Sequence, residues 1–365
     1  MKQEKERILK LVEEGKLTAQ EALTLIEKLD SDYKEKEDKI TALSVHVHDE
    51  EEPFTAAKKD SGKPSLGAKL FDWIDSAVKK VKEVDLDLNF GHAYDVQHIF
   101  QFKDTDFSSV ELQIANGSVN IVPWEDEDIR AECQAKVYRA DSQDAARHAF
   151  LQHIECEIKG NKFFIRTEKK TMKTNVTLYI PQKEYDKIRV KLFNGPARGE
   201  HLHVKEFSAK TTNGVLSFSH LTAEKAIAET ANGQIKLASH NCGTIEAETI
   251  NGLIDLRGRS ESIDVQSFNG NIAINVTESD CRSIYSKTTT GNVELSIPDD
   301  LAVKAELKSN LGSLSHELMD VEMLKEKNDT IQKEMMFTSN QAHDQNITVF
   351  SESLTGAIKL KYSQR

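Results

Sequence analysis

Thr230-Ala231-Asn232-Gly233-Gln234-Ile235-Lys236-Leu237 returns 19 residues later as Thr249-Ile250-Asn251-Gly252-Leu253-Ile254-Asp255-Leu256. The Asn-Gly pair stands at 194–195, 213–214, 232–233, 251–252 and 269–270, so successive Gly positions are 19, 19, 19 and 18 residues apart. Asn116-Gly117 is an earlier copy, and Gly291, Gly312 and Gly356 continue the series. A fixed period of about 20 residues is the signature of stacked coils. Aligned on the Gly, the second residue after it is Val119, Leu216, Ile235, Ile254, Ile272, Val293, Leu314 or Ile358. The fourth is Ile121, Phe218, Leu237, Leu256, Ile274, Leu295 or Leu360, with His316 the one break. Alternation at period two places both columns on the inward face of a strand.

Seven residues before the Gly stand Val110, Phe207, Ala226, Ile245, Ile263, Ile284, Ala305 and Val349. Three before it stand Thr211, Thr230, Thr249, Ser267, Thr288, Ser309 and Ser353. This hydroxylated column is in phase with the core and is expected to face inward, bonding along the ladder. The Asn-Gly pair is expected to supply positive φ at the corner.

The reading is a mainly β fold: a parallel β-solenoid with rungs of about 19 residues over 108–365. A string of β-hairpins would also use Asn-Gly turns, but equivalent columns favour coils stacked in register. Two insertions interrupt the series. One, at about 123–175, is predicted to hold a strand Ile129–Tyr138, a helix Ser142–Ile154 and a strand Lys162–Thr167. The other, at about 317–345, is predicted to hold a charged helical segment, Val321–Glu334.

Upstream, residues 1–30 read as a helical hairpin. Ile8, Leu11 and Val12 share a face, Gly15 stops the first helix, and Thr18 with Glu21 forms a capping box. Leu11, Ala22, Leu25 and Ile26 form an apolar stripe too small to bury a core alone. The stripe is therefore the candidate surface for self-association or for a protein partner, packing on the chain's own body being the alternative. Residues 31–64 are a charged linker. Residues 65–107 hold an amphipathic helix, Leu66–Lys82, and first strands, beginning with the alternation Val84, Leu86, Leu88 and Phe90. The helix face Leu70, Trp73, Ile74 and Val78 suits a cap on an open solenoid end, the preferred reading, or an anionic membrane surface.

The chain of 365 residues carries a net charge of -12, which disfavours nucleic acid. No run is long and apolar enough to span a bilayer, and no signal peptide opens the sequence, so a cytoplasmic location, peripheral to membranes at most, is expected. Cys133, Cys156, Cys242 and Cys281 form no C-x-x-C pair in what reads as a reducing compartment; Cys133 and Cys156 stand in similar settings and could face each other on paired strands, with two separate buried thiols the preferred reading. Nucleotide loops, H-E-x-x-H and G-x-S-x-G are missing, and no cofactor is implied. The carboxylates Glu246, Glu248, Asp255 and Asp264 are the residues that a polysaccharide-cleaving solenoid would need. They read instead as outer-face groups, with Glu246 expected to point to solvent. His46 and His48, and His201 with His203, are pairs without a third ligand.

These repeat columns with Asn-Gly turns resemble the bacterial β-strand-repeat domain of unknown function called a "putative adhesin". The opening Glu6-Arg7-Ile8-Leu9-Lys10-Leu11-Val12-Glu13-Glu14-Gly15-Lys16-Leu17-Thr18-Ala19-Gln20-Glu21-Ala22 is similar to the SHOCT-like helical domain found with it. With Phe71-Asp72-Trp73-Ile74-Asp75-Ser76-Ala77-Val78-Lys79 between, the whole is similar to Gram-positive proteins that include the Lia-type envelope-stress group. The resemblance implies a role in the cell-envelope stress response, including sensing of membrane-active antimicrobial peptides. It implies no catalytic residues. The function expected is a binding and scaffold protein, with a carbohydrate-active solenoid enzyme as the alternative.

Overall fold

The structure is a computed structural model that describes residues 92–103 and 106–363. The predicted hairpin with Leu11, Ala22, Leu25 and Ile26 lies outside the described residues, as do the linker, the helix face Leu70, Trp73, Ile74 and Val78, and the alternation at 84–90.

The described chain is mostly strand, with one helix. Its elements are β1 (Ala93–Phe102), β2 (Ser109–Trp124), β3 (Ile129–Tyr138), α1 (Gln143–His153), β4 (Glu155–Lys159), β5 (Lys162–Thr167), β6 (Met172–Pro181), β7 (Glu184–Asn194), β8 (Ala197–Glu200), β9 (His203–Asn213), β10 (Leu216–Ser219) and β11 (Thr222–Asn232). There follow β12 (Ile235–Asn251), β13 (Ile254–Asn269), β14 (Ile272–Val276), β15 (Ser283–Thr290), β16 (Val293–Ile297), β17 (Ala302–Ser309), β18 (Leu314–Glu317), β19 (Val321–Asn328), β20 (Lys333–Ser339), β21 (Asn346–Ser353) and β22 (Ile358–Tyr362).

Two parallel ladders run the length of the stack. In one, Phe207, Ala226, Ile245, Ile263 and Ile284 are successive partners on β9, β11, β12, β13 and β15. In the other, Leu216, Ile235, Ile254, Ile272 and Val293 are partners on β10, β12, β13, β14 and β16. Parallel neighbours need a crossover and cannot be hairpins, so the architecture is a β-solenoid-like stack. The apolar columns fill the space between the ladders. Ile254, fully buried between Ile235 and Ile272, should lose about 3 kcal/mol on Ile254→Ala, the usual cost of truncating a buried aliphatic side chain. A denaturant-melt difference under about 0.5 kcal/mol would contradict that packing.

The corner chemistry differs from the sequence reading. None of the Asn residues of the Asn-Gly pairs has positive φ. Their amides instead form a ladder: Asn194 Nδ2 donates to Asn116 Oδ1 at 2.8 Å, Asn213 to Asn194 at 2.7 Å, Asn232 to Asn213 at 2.9 Å, Asn251 to Asn232 at 2.8 Å, and Asn269 to Asn251 at 2.9 Å. The Gly is required mainly by proximity. A Cβ on Gly233 or Gly252 would lie under 3.0 Å from the carbonyl oxygen of the Gly one rung before it. The hydroxyl column does face inward, but bonds to those carbonyls rather than to its own members. Thr230 Oγ1 donates to Gly214 O at 3.3 Å, Thr249 to Gly233 O at 3.2 Å and Thr288 to Gly270 O at 3.0 Å.

Both ends depart from chain order. Lys162–Thr167, read as part of an insertion, belongs to a rung: Val110 on β2 pairs in parallel with Phe163 on β5, and Val119 with Val176 on β6. The inserted material is therefore β3, α1 and β4. Helix α1 is where the sequence placed it, with Ser142 Oγ accepting from Ala145 N and Phe150 buried. The second insertion is a correction: Val321–Glu334 is not helical. Strands β19 and β20 form an antiparallel hairpin, and β20 adds to the exposed edge of β17, with Phe337 opposite Ala305 and fully buried. An unpaired strand edge outweighs the weak helix preference of a charged segment. The same Phe337 accounts for His316, whose ring stands 4.8 Å from it in the otherwise apolar column.

Candidate functional site

The ladder built from β7, β9, β11, β12, β13, β15, β21 and β17 turns every second side chain outward. Four residues before each Gly, partners run Lys191, Lys210, Glu229, Glu248, Gln266, Lys287, Glu352 and Lys308. Opposite charges on adjacent rungs pair: Lys210 with Glu229 at 2.7 Å and Lys287 with Glu352 at 3.0 Å. Beside this column Lys225 and Glu246 pair at 2.8 Å. Tyr285 and Phe350 stack with ring centroids 5.1 Å apart, and Lys308 Nζ stands 5.5 Å from the Phe350 centroid. The face is thus an array of both charge signs with an aromatic pair.

Of the acidic candidates, Glu246, Glu248 and Asp264 share this face, and Glu246 and Asp264 are partners on adjacent rungs. Asp255 lies on the other ladder, between Lys236 and Ala273. Glu246 is half-buried rather than solvated, and Glu248 is only 5% exposed. Outward side chains stacked rung upon rung cover one another, so an outer position need not be a wet one. One oxygen each of Glu229 and Glu248 is buried without a hydrogen-bond partner. The charge column was visible in the sequence at the fourth position before each Gly, but the burial was not.

Burial, reinforced by Glu229, Asp264 and Glu246 and partly offset by Lys210, pushes the Glu248 carboxyl up to about 8. Its folded pKa exceeds its unfolded value, so the stabilisation it gives is complete below about pH 4.5 and is lost as pH rises to about 8. Glu248→Gln should leave the melting temperature nearly unchanged at pH 4.5 and raise stability on the order of 2 kcal/mol at pH 8.5. Parallel pH profiles for variant and parent would refute this. His240, 3% exposed with Nδ1 at 3.2 Å from Leu237 O, acts at the other end of the scale. Burial pulls its imidazole down to about 4, so it costs stability as pH falls from about 6.5 to 4.

A cleft of about 420 Å³ lies elsewhere, lined in part by Pro181, Lys183, Tyr185, His201 and His203. His201 stacks on His220, not His203, with centroids 4.3 Å apart. Among the described residues no three His, Cys, Asp or Glu side chains gather as metal ligands. All four cysteines are free. Burial pushes the Cys133, Cys242 and Cys281 thiols up to about 12, which makes them poor nucleophiles. No helix among the described residues is long and apolar enough to cross a membrane.

A family model described as Toastrack DUF4097 matches residues 107–360, and one described as a SHOCT-like domain matches residues 3–34. The uncharacterized protein YvlB of Bacillus subtilis (strain 168) is 98% identical over 365 residues, covering 100% of both chains. Among solved structures, a putative adhesin from Bacteroides fragilis NCTC 9343 is 14% identical, with 73% of this chain and 97% of that one covered and a TM-score of 0.41. A putative lipid binding protein from Parabacteroides distasonis ATCC 8503 is 10% identical, with 72% and 96% covered and a TM-score of 0.32.

Proposed function

Because the chain belongs to the Toastrack DUF4097 family over residues 107–360, we propose that its stacked rungs, of about 19 residues each, form a non-enzymatic binding and scaffold surface. The observation that carries this reading is the outer face, where charges of both signs recur rung after rung along the ladder beside the single Tyr285–Phe350 stack. A flat array of that kind offers many weak, ordered contacts to a long partner, and no enclosed reaction site. The SHOCT-like segment supplies recruitment or self-association through Leu11, Ala22, Leu25 and Ile26. The face Leu70, Trp73, Ile74 and Val78 caps the stack or meets an anionic membrane or antimicrobial peptide. The cellular setting proposed is the cytoplasmic side of the cell-envelope stress response, without nucleic acid.

The test is capture of partners from envelope-stressed cells by the full chain, by Leu25→Asp and by Tyr285→Ser. Leu25→Asp should lose self-association or partner capture, because association would bury a carboxylate. Tyr285→Ser should lose ligands held by the face. Undiminished capture by both variants would overturn the proposal. So would hydrolysis of an envelope polysaccharide that Glu248→Gln abolishes, which would establish the carbohydrate-active reading.

A further inference from the structure

The rung formed by β21 and β22 does not sit where chain order would put it. It lies between the rung of β15 and β16 and that of β17 and β18, all four of which precede it in sequence. On one side Val349 pairs with Ile284 and Ile358 with Val293. On the other, Val349 pairs with Ala305 and Ile358 with Leu314. The corner glycines confirm the order: a Cβ on Gly356 would meet Gly291 O, and one on Gly312 would meet Gly356 O. Residues 283–317 therefore build both walls of a slot one strand wide, and a later segment fills it.

We propose that this slot is a strand-binding site whose second occupant is the same segment, residues 344–363, of another copy of this chain. The occupant is specified by the structure itself, because the slot is complementary to that sequence. Ile347, Val349, Ser351, Ser353, Ile358 and Leu360 are at most 1% exposed in it. Ser286 Oγ donates to Ser351 Oγ at 2.9 Å, and Lys359 and Lys361 pair with Glu317 and Glu294 at 2.6 and 2.5 Å. Each of these contacts joins the segment to the walls, so each is recovered in full when the segment comes from a second molecule. What distinguishes the two arrangements is the connection at 340–345. Asn340 there has φ 53, a left-handed conformation that asparagine adopts more readily than most residues, and its amide donates to Tyr362 Oη at 2.8 Å. An extended connection between the same two ends would let the segment exchange between protomers, as identical elements do in swapped dimers. Within one molecule the tether gives the segment a high effective concentration, so exchange is expected when chains fold together at high concentration.

The experiment uses full-length chains carrying Leu25→Asp, so that association through the hairpin stripe is absent. Isotopically light and heavy copies are unfolded in denaturant, refolded together at high concentration and joined with a zero-length carbodiimide. Lys287 and Glu352, 3.0 Å apart, should then appear as mixed light–heavy cross-links in the dimer fraction. A synthetic peptide of residues 344–363 added during refolding should reduce those dimers at least tenfold, and the same peptide with Val349→Asp should not. Coexpression of two differently tagged copies repeats the test where refolding is inefficient. Absence of dimers in both formats, purely intrachain Lys287–Glu352 cross-links, or equal action of the two peptides would overturn the proposal. None of these outcomes bears on the outer face, which is read by the Tyr285→Ser capture experiment.

Discussion

Gly252→Ala should be among the most damaging single substitutions in the body, with an expected loss of about 3–5 kcal/mol from combined overpacking and backbone strain. Gly252 has φ +159, at the edge of the range that side chains avoid, and a Cβ there would lie under 3.0 Å from Gly233 O. That atom is backbone, so it cannot swing away. It is also engaged, since it accepts from Thr249 Oγ1 at 3.2 Å. Moving it would spoil the hydrogen bond and the parallel register on both sides, where Gly233 N donates to Asn251 O at 3.0 Å and Gly252 N to Asn269 O at 3.0 Å. An alanine at a surface turn costs little, and urea melts would separate the two cases. A midpoint shift corresponding to less than about 1 kcal/mol would show that neighbouring rungs can part without penalty, contrary to the packing described.

Thr249→Lys is expected to be comparably severe for a different reason. Thr249 is 3% exposed and faces the interior beside Ala247 and Ile245. A lysine would carry an unpaired ammonium into an apolar column, and the cost of burying such a charge is several kcal/mol. Thr249→Val is the companion variant. It preserves the branched shape and loses only the hydrogen bond to Gly233 O, worth about 1 kcal/mol. The diagnostic is the gap between the two melts: it should exceed about 2 kcal/mol in favour of valine. Equal melting of Thr249→Lys and the parent would mean that the hydroxyl column faces water.

What the sequence made legible follows from burial. Ile235, Ile254 and Ile272 are confined by neighbours on every side, so only apolar residues serve, and the period shows plainly. Order along the stack is another matter. Gly291, Gly312 and Gly356 have the same column chemistry, so an alignment of columns is unchanged when rungs are permuted. Nothing in the residues says that 356 sits between the other two. Val321–Glu334 was misread because its charges suit a helix surface as well as an edge strand, and the decision rests with the vacant edge of β17. The outer-face position of Glu248 was legible, but its burial was not, because outer positions are ordinarily wet and its exposure depends on the side chains one rung above and below. His240 was invisible for a similar reason, since its alignment with the buried Leu202 and Leu221 emerges only once the corner after β10 is traced.

The asparagine ladder bears on chemical ageing. An Asn-Gly sequence is prone to deamidation when the glycine nitrogen can swing onto the asparagine side-chain carbonyl carbon and close a succinimide. Here both reactants are held. The amides of Asn213, Asn232 and Asn251 each donate to the asparagine one rung before, while Gly214 N, Gly233 N and Gly252 N donate to backbone carbonyls of the next rung at 3.0 Å. Ring closure therefore requires local opening of the stack, and the rate at each site becomes a clock for that opening. Conversion of one interior amide to aspartate would replace a donor with a repelling carboxylate against its neighbour's oxygen. Damage would then spread by loosening the adjacent pair, so old molecules should carry modified asparagines in contiguous runs rather than at scattered sites.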